Sequence, residues 1–399
     1  MFQLPKIEKI TRDATIVHFS LLFGYKVFSL YFPLFLVNRG FSLPEVGYTY
    51  LLIYLPIALF SPLFGFLNHK VNPAVLAGLG ILGYGIYALA MILVQNPALF
   101  YFFQVLLGIS AAAFFVSARA ILMGYPLENP DRAFGWFYSA PFYADAIAPA
   151  VGAFFVWQFG FVGVFAFSLV LQFFTAFFCI LRLRKPASTL PDKGFNLRNF
   201  RENQRKTFSV IKSKAVLPFV SISLSVLFLA GLYRTYFVLF LKDEMVWSQN
   251  LILIFISVFS LLFLPFSLFA IRHLGKYLSE KNVFGGGLVA GLFSILFGLS
   301  LPFLNFLIIL LINLGRSVGS LVCGAGRSGL LNKKLKDMPE EAGAVDTIFA
   351  PLGVALGAFV FGLIIDSLGY GLLFILSGLF VLAILFLFRS CQKGEFKVY

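Results

Sequence analysis

The chain has 399 residues, of which 60% are hydrophobic and only 12% charged, and its mean hydropathy is +0.93. Soluble domains carry about 25% charged residues, so this composition excludes a water-soluble enzyme or binding module and indicates an integral membrane protein. A net charge of +14 would suit nucleic acid, but the basic residues are distributed as membrane topology requires, and no nucleic-acid partner is expected.

A hydrocarbon core of about 30 Å needs about 20 apolar residues per crossing helix. Twelve such stretches are predicted, near 14–38, 46–68, 73–94, 98–123, 134–157, 162–182, 215–241, 250–272, 282–303, 305–330, 342–366 and 370–389. The first follows Met1–Lys9 directly and is too long for the apolar core of a cleaved signal peptide, so it is expected to be retained. Turn residues punctuate the spans, as in Asn38-Arg-Gly40, Val71-Asn-Pro73, Gln95-Asn-Pro97, Glu128-Asn-Pro130 and Asp366-Ser-Leu-Gly369.

Basic residues collect on alternate connections. Of the 31 Lys and Arg, 24 fall at the two termini, in the even-numbered loops and in a segment near 183–214. The opposite side holds Arg39 and Lys242. By the positive-inside rule both termini and the middle segment are cytoplasmic. That segment contains Pro186, Pro191 and Gly194 and is expected to be a linker lying on an anionic inner leaflet. The expected domains are thus 1–182, a basic linker 183–214, and 215–399.

The two halves echo each other. Ala118-Arg-Ala-Ile-Leu, Pro130-Asp-Arg-Ala-Phe-Gly135 and Ala148-Pro-Ala-Val-Gly152 return as Gly326-Arg-Ser-Gly-Leu, Pro339-Glu-Glu-Ala-Gly343 and Ala350-Pro-Leu-Gly353; Tyr31-Phe-Pro-Leu-Phe-Leu36 returns as Tyr236-Phe-Val-Leu-Phe-Leu241. Two six-span repeats in the same orientation suit a transporter that rocks about a midplane site. The three cysteines, Cys179, Cys323 and Cys391, and the three histidines, His18, His69 and His273, have no metal-ligand spacing. No metal, no cofactor and no enzymatic activity are expected. An ATP-driven pump is disfavoured because no phosphate-binding G-x-x-x-x-G-K-[ST] loop occurs.

On these features the chain resembles the major facilitator superfamily over nearly its whole length. The resemblance implies an all-α fold of twelve transmembrane helices in two pseudo-symmetric six-helix bundles. The family signature between the second and third helices is G-x-x-x-D-R-x-G-R-R. Here the segment is Gly65-Phe-Leu-Asn-His69-Lys70-Val-Asn72, with His69 where the acid belongs. The second-half equivalent, Leu268 to Lys276, has Arg272 and His273 in place of the Asp and Arg. Arg119, followed by Pro130-Asp-Arg132 and Gly135, resembles the family's fourth-helix arginine and the loop beyond it. Asp145-Ala-Ile-Ala-Pro149-Ala-Val-Gly152 resembles the exporter pattern G-x-x-x-G-P-x-x-G-G in its Pro and one Gly.

Five basic residues remain inside spans: Lys26, Arg119, Arg234, Arg316 and Arg327. A cation at the centre of a span costs about 2.5–3.5 kcal/mol on insertion scales and usually faces water or a counter-charge. Arg119 and Arg327 sit at matching inner ends of spans four and ten. They are read, with Arg132 and Asp346, as gating or structural charges, Asp346 being a candidate partner of Arg327. Lys26, Arg234 and Arg316 lie deeper, on spans one, seven and ten. The resemblance places these spans along the cavity. Arginine forks suit phosphate or carboxylate and lysine supplies a point charge. Tyr25, Tyr31, Tyr143, Tyr233 and Tyr236 flank the charges.

The expected function is secondary transport of a small organic anion, by proton coupling or by exchange for a second anion, with Lys26, Arg234, Arg316, Tyr25, Tyr31, Tyr233 and Tyr236 at the substrate site. Two alternatives stay open: a proton-coupled exporter of lipophilic compounds with Asp145 as proton carrier, and a lipid flippase. Lys26 has two readings, substrate ligand or partner of Asp145. The partners expected are a small-molecule substrate, membrane lipids and protons, in a monomer of the inner or plasma membrane.

Overall fold

A computed structural model describes residues 7–68, 70–123, 130–184, 202, 205–206, 208–274, 277–335 and 339–391. Helices account for most of them: α1 Lys9–Ser29, α2 Phe32–Asn38, α3 Leu43–Leu67, α4 Pro73–Leu93, α5 Pro97–Met123, α6 Pro130–Leu183, α7 Leu217–Asp243, α8 Gln249–Leu274, α9 Ser279–Leu299, α10 Phe306–Lys334 and α11 Pro339–Cys391. The described residues form no strand. Two of these helices are too long for one crossing. α6 is broken at Gly160 (φ 64°) and α11 at Gly369 (φ 72°), a left-handed conformation that glycine alone adopts cheaply. Each is therefore two spans joined by a one-residue reversal, and α1 with α2 makes one bent span. Counted this way, the described residues hold twelve helical spans, in the order expected.

Local chemistry explains where helices start and stop. Asn72, Asn96 and Asn305 accept from the backbone N–H groups of Ala74, Ala98 and Ile308, satisfying donors that a helix N-terminus leaves open. Pro73 and Pro97 sit in the first turn, where no N–H is needed. The break between α1 and α2, bent by 40°, was expected to be continuous helix. Its cause is Pro33, whose ring opposes the carbonyl four residues back at Ser29, the last residue of α1.

The chain divides into two compact units. One takes α1, residues 52–67 of α3, α4, α5, α6 and Ile256–Leu261 of α8. The other takes residues 36–51, α7, the rest of α8, α9, α10 and α11. In the first unit α1 packs chiefly on α6, and α4 on α5 and α6; in the second α7 packs on α11, and α9 on α10 and α11. Glycines permit the close approaches. A Cβ at Gly80 would meet the Ser110 carbonyl at 2.7 Å, and one at Gly319 would meet the Ala290 nitrogen at 2.7 Å.

Candidate functional site

In the first unit, α1 faces the first limb of α6 along a polar seam, and proline creates it. Pro141 has no N–H to return to the carbonyl of Phe137, which is left without its helical partner. His18 Nδ1 lies 3.0 Å from that carbonyl. A carbonyl only accepts, so Nδ1 carries the hydrogen and Nε2 is a bare acceptor. Nε2 is buried and has no partner among the described residues; the ring is enclosed by Phe137, Phe114 and Phe115 at 4.3, 5.7 and 5.9 Å between centroids. Eight residues along α1, Lys26 Nζ donates to the Pro141 carbonyl at 3.3 Å and pairs with the Asp145 carboxylate. Tyr31 closes the seam, its hydroxyl donating to the Pro149 carbonyl at 2.8 Å.

Both members of the ion pair lie near the middle of their spans, yet neither is sealed away. The Lys26 side chain is 18% exposed and that of Asp145 45%. Tyr25, next to Lys26, packs edge-on against Tyr84 at 5.4 Å. Tyr143 is exposed.

In the second unit the corresponding chemistry rests on one tyrosine. The Arg316 guanidinium lies over the Tyr233 ring, 3.8 Å from its centroid, and its Nη2 donates to Ser317 Oγ at 2.9 Å. The ring is itself fixed by Phe374, Phe297 and Phe237 at 4.9, 6.0 and 6.0 Å. Its hydroxyl reaches Ser294 Oγ at 3.4 Å, which donates to the Phe374 carbonyl at 2.8 Å. Arg234 is the one exposed residue in Gly231–Leu241. Adjacent residues on a helix point about 100° apart, so burying Tyr233 turns Arg234 outward. Among the described residues no carboxylate pairs with Arg316, and the acids on this unit's helices, Asp243, Glu280, Glu340, Glu341, Asp346 and Asp366, all stand at or near span ends.

The structure thus joins Lys26 to Asp145 in one unit and Arg316 to Tyr233 in the other, where Arg234 follows Tyr233 in sequence. It places Tyr31 and Tyr236 differently. Both are fully buried; the Tyr236 hydroxyl sits 2.9 Å from the Ala358 carbonyl and 3.1 Å from that of Leu43, so both hydroxyls are engaged in helix packing. Arg119 lies over the Tyr138 ring at 5.7 Å. Arg327 is buried, with Nη1 donating to Ser223 Oγ at 3.1 Å. The side chains of Arg132 and Asp346 lie outside the described residues, and so does the expected pairing of Arg327 with Asp346. His18, Ser317 and Pro141 were not singled out by the sequence. Pro141, four residues past a carbonyl that would need a donor, is the signal that a polar side chain on a neighbouring span should meet it.

The sequence profile described as Major Facilitator Superfamily matches residues 14–345. No curated protein matches the chain by sequence. Among solved structures, a POT family transporter in complex with 5-aminolevulinic acid is similar with a TM-score of 0.80 at 14% identity, covering 97% of this chain and 96% of that one. The nucleoside transporter NupG gives 0.77 at 13%, covering 97% and 100%. A D-xylose-proton symporter gives 0.71 at 15%, covering 94% and 96%. At these identities the likeness is one of fold.

Proposed function

The chain belongs to the Major Facilitator Superfamily, and on that premise we propose that this secondary transporter carries a small organic anion bearing a phosphate or carboxylate, by alternating access, with both termini in the cytoplasm. The cargoes named for the similar structures differ from one another, and a shared fold does not choose a cargo. The choice is argued from this chain's own groups.

Arg316 carries the reading. It sits mid-span on α10, held against Tyr233, with no carboxylate partner among the described residues. Its held plane presents a fork suited to two oxygens of one anion. The aromatic face supplies about 0.5–2 kcal/mol of cation–π attraction, which steadies the group between turnovers without neutralising it. Arg234, exposed nearby, adds charge of the same sign, and such a concentration of positive potential draws an anion into low-dielectric surroundings. In the other unit the mid-span cation, Lys26, is already matched by Asp145.

The test is a thermal-shift screen of purified protein with phosphorylated, carboxylated and neutral solutes, followed by uptake into proteoliposomes. Anions are expected to raise the melting temperature, and Arg316→Ala to abolish the rise. If neutral solutes stabilise and anions do not, or if Arg316→Ala leaves anion stabilisation intact, the reading is lost.

A further inference from the structure

Ahead of α7 the end of the basic segment is folded onto the second unit. Residues 208–211 are helical, and the chain then turns. The Lys212 N–H donates to the Phe208 carbonyl at 3.0 Å and the Val216 N–H to that of Ser213 at 3.1 Å. Ile211 and Val216, on either side of the turn, are buried in one cluster with Val220 of α7 and with Leu331 and Leu335 at the end of α10; Val210 and Phe349 pack against it. This apolar contact fixes the turn to the ends of two spans.

The charged residues interleaved with the cluster are all basic and all exposed: Lys212 and Lys214 in the turn, Lys333 and Lys334 between Leu331 and Leu335. Arg205 and Lys206, also exposed, stand one to two turns upstream, and Phe208, 55% exposed, lies between the two groups. Among the described residues no carboxylate pairs with any of these six cations. The acids that follow α10, Asp337, Glu340 and Glu341, have side chains outside those residues. The first unit treats its span-end cations differently. There Arg12 pairs with Asp13 at 3.1 Å, and Lys70 and Arg182 lie over the Phe66 and Phe178 rings at 4.7 and 5.9 Å. Two of the six, Lys333 and Lys334, suit the negative end of the α10 dipole. That role does not extend to the rest, and like charges gathered at one place repel one another.

We propose that the turn 212–216 and the end of α10 form a docking surface for anionic phospholipid. Headgroup phosphates lie among Lys212, Lys214, Lys333 and Lys334, and Phe208 enters the edge of the acyl region. The surface stands at the ends of two spans, the depth at which headgroups lie. Lysines carry compact point charges on apolar stems that can reach along a headgroup plane. An exposed aromatic ring beside several cations is the make-up of a segment that lies in the interface. Each cation near an anionic leaflet adds to the attraction, which falls off within a Debye length. Anionic lipid thus supplies the counter-charge that the second unit lacks here, and so holds the turn in place. Arg316, at mid-span, takes no part, and the surface stands whether or not the cargo is an anion.

Thermal unfolding of the purified full chain in a neutral detergent tests this, with phosphatidylglycerol or phosphatidylcholine of the same acyl chains added at equal mole fraction. Phosphatidylglycerol should raise the melting temperature and phosphatidylcholine should not. The rise should shrink by about half or more between about 0.05 and about 0.5 M salt, as the Debye length shortens. Lys212→Gln/Lys214→Gln/Lys333→Gln/Lys334→Gln should lose about half of the rise or more, whereas arginine at the same four positions should keep it. Arg39→Gln/Lys242→Gln, at the opposite ends of spans, should keep it too. If the fourfold glutamine variant does not fold, Lys212→Gln/Lys214→Gln and Lys333→Gln/Lys334→Gln made separately should each lose part of the rise. Inorganic sulfate separates a lipid surface from a site for free anions: whatever it does to wild type, it should do equally to the glutamine variants. The proposal is overturned if the two lipids act alike, if the glutamine variants keep the full rise, or if an effect of sulfate disappears with the lysines.

Discussion

Replacing His18 by Phe should expose how the α1–α6 seam is held, and the informative quantity is its coupling to Pro141. His18 Nδ1 donates at 3.0 Å to a carbonyl that Pro141 has deprived of its helical donor. His18→Phe keeps the ring stacking with Phe114, Phe115 and Phe137 and deletes the donor. An unsatisfied carbonyl costs about 1–3 kcal/mol. The same substitution also removes the orphaned Nε2, so the single variant should lose less than that. Pro141→Ala restores an N–H to residue 141. Beside His18 it has little to gain, because the Phe137 carbonyl is already served. Beside Phe at 18 it should recover one hydrogen bond, worth about 0.6–1.7 kcal/mol within a membrane protein. A double-mutant cycle of denaturant unfolding in detergent or bicelles measures the difference directly. A coupling near zero, or one of opposite sign, would refute the argument that proline creates the seam, whatever the single variants do.

Tyr31→Phe and Tyr236→Phe should each lower stability by about 1 kcal/mol, read as a reduced melting temperature. Tyr236→Phe should cost more, since its hydroxyl lies in a socket lined by Gly47 and Gly362 that nothing else fills; equal melting temperatures for that variant and wild type would remove the basis for matching the two tyrosines. Gly160→Ala and Gly369→Ala should each cost about 1–3 kcal/mol, because alanine must adopt the extended positive-φ conformation held at φ 64°, ψ −172° and φ 72°, ψ 162°. Indifference to either change would mean that the one-residue reversals are not formed as described. Arg316→Lys should weaken anion binding about tenfold while keeping the charge, since an ammonium neither stacks on Tyr233 nor forks; an unchanged affinity would show that charge alone matters there.

Hydropathy and turn residues carried most of the architecture, because a lipid environment forces each crossing to be a long apolar helix and leaves little room for alternatives. The break after Ser29 escaped that logic: Pro33 sat inside an apolar run whose length already suited one span. At the site, Lys26 and Asp145 were legible as the charges out of place, and so was Arg316. The stacking of Arg316 on Tyr233 was not. The two are far apart in sequence, and Tyr233 was legible only as one of several tyrosines beside the charges. Which neighbour of a charged residue turns inward depends on helix rotation, and α7 is apolar on almost every side, with eighteen of its residues buried, so periodicity offers no choice of face.

What the two repeats share and where they part is the stronger guide to function. They share the tyrosine hydroxyls donated to Pro149 and Ala358, the left-handed glycines at 160 and 369, and the inner arginines 119 and 327; these are the parts that a pair of bundles must have. They part at the deep charges. Lys26 corresponds to Gly231, where a side chain would strike Val354. Aligning Arg119 with Arg327 puts Arg316 opposite Gly108, where a Cβ would lie 2.9 Å from Pro56 and collide with the Ile53 carbonyl. Each cation thus occupies a place where the other repeat has glycine and a close helix contact. A charge needed only to hold helices together would be expected in both copies, since both copies pack the same helices. Found in one copy each, Lys26 and Arg316 are not required by the helix packing that both copies share.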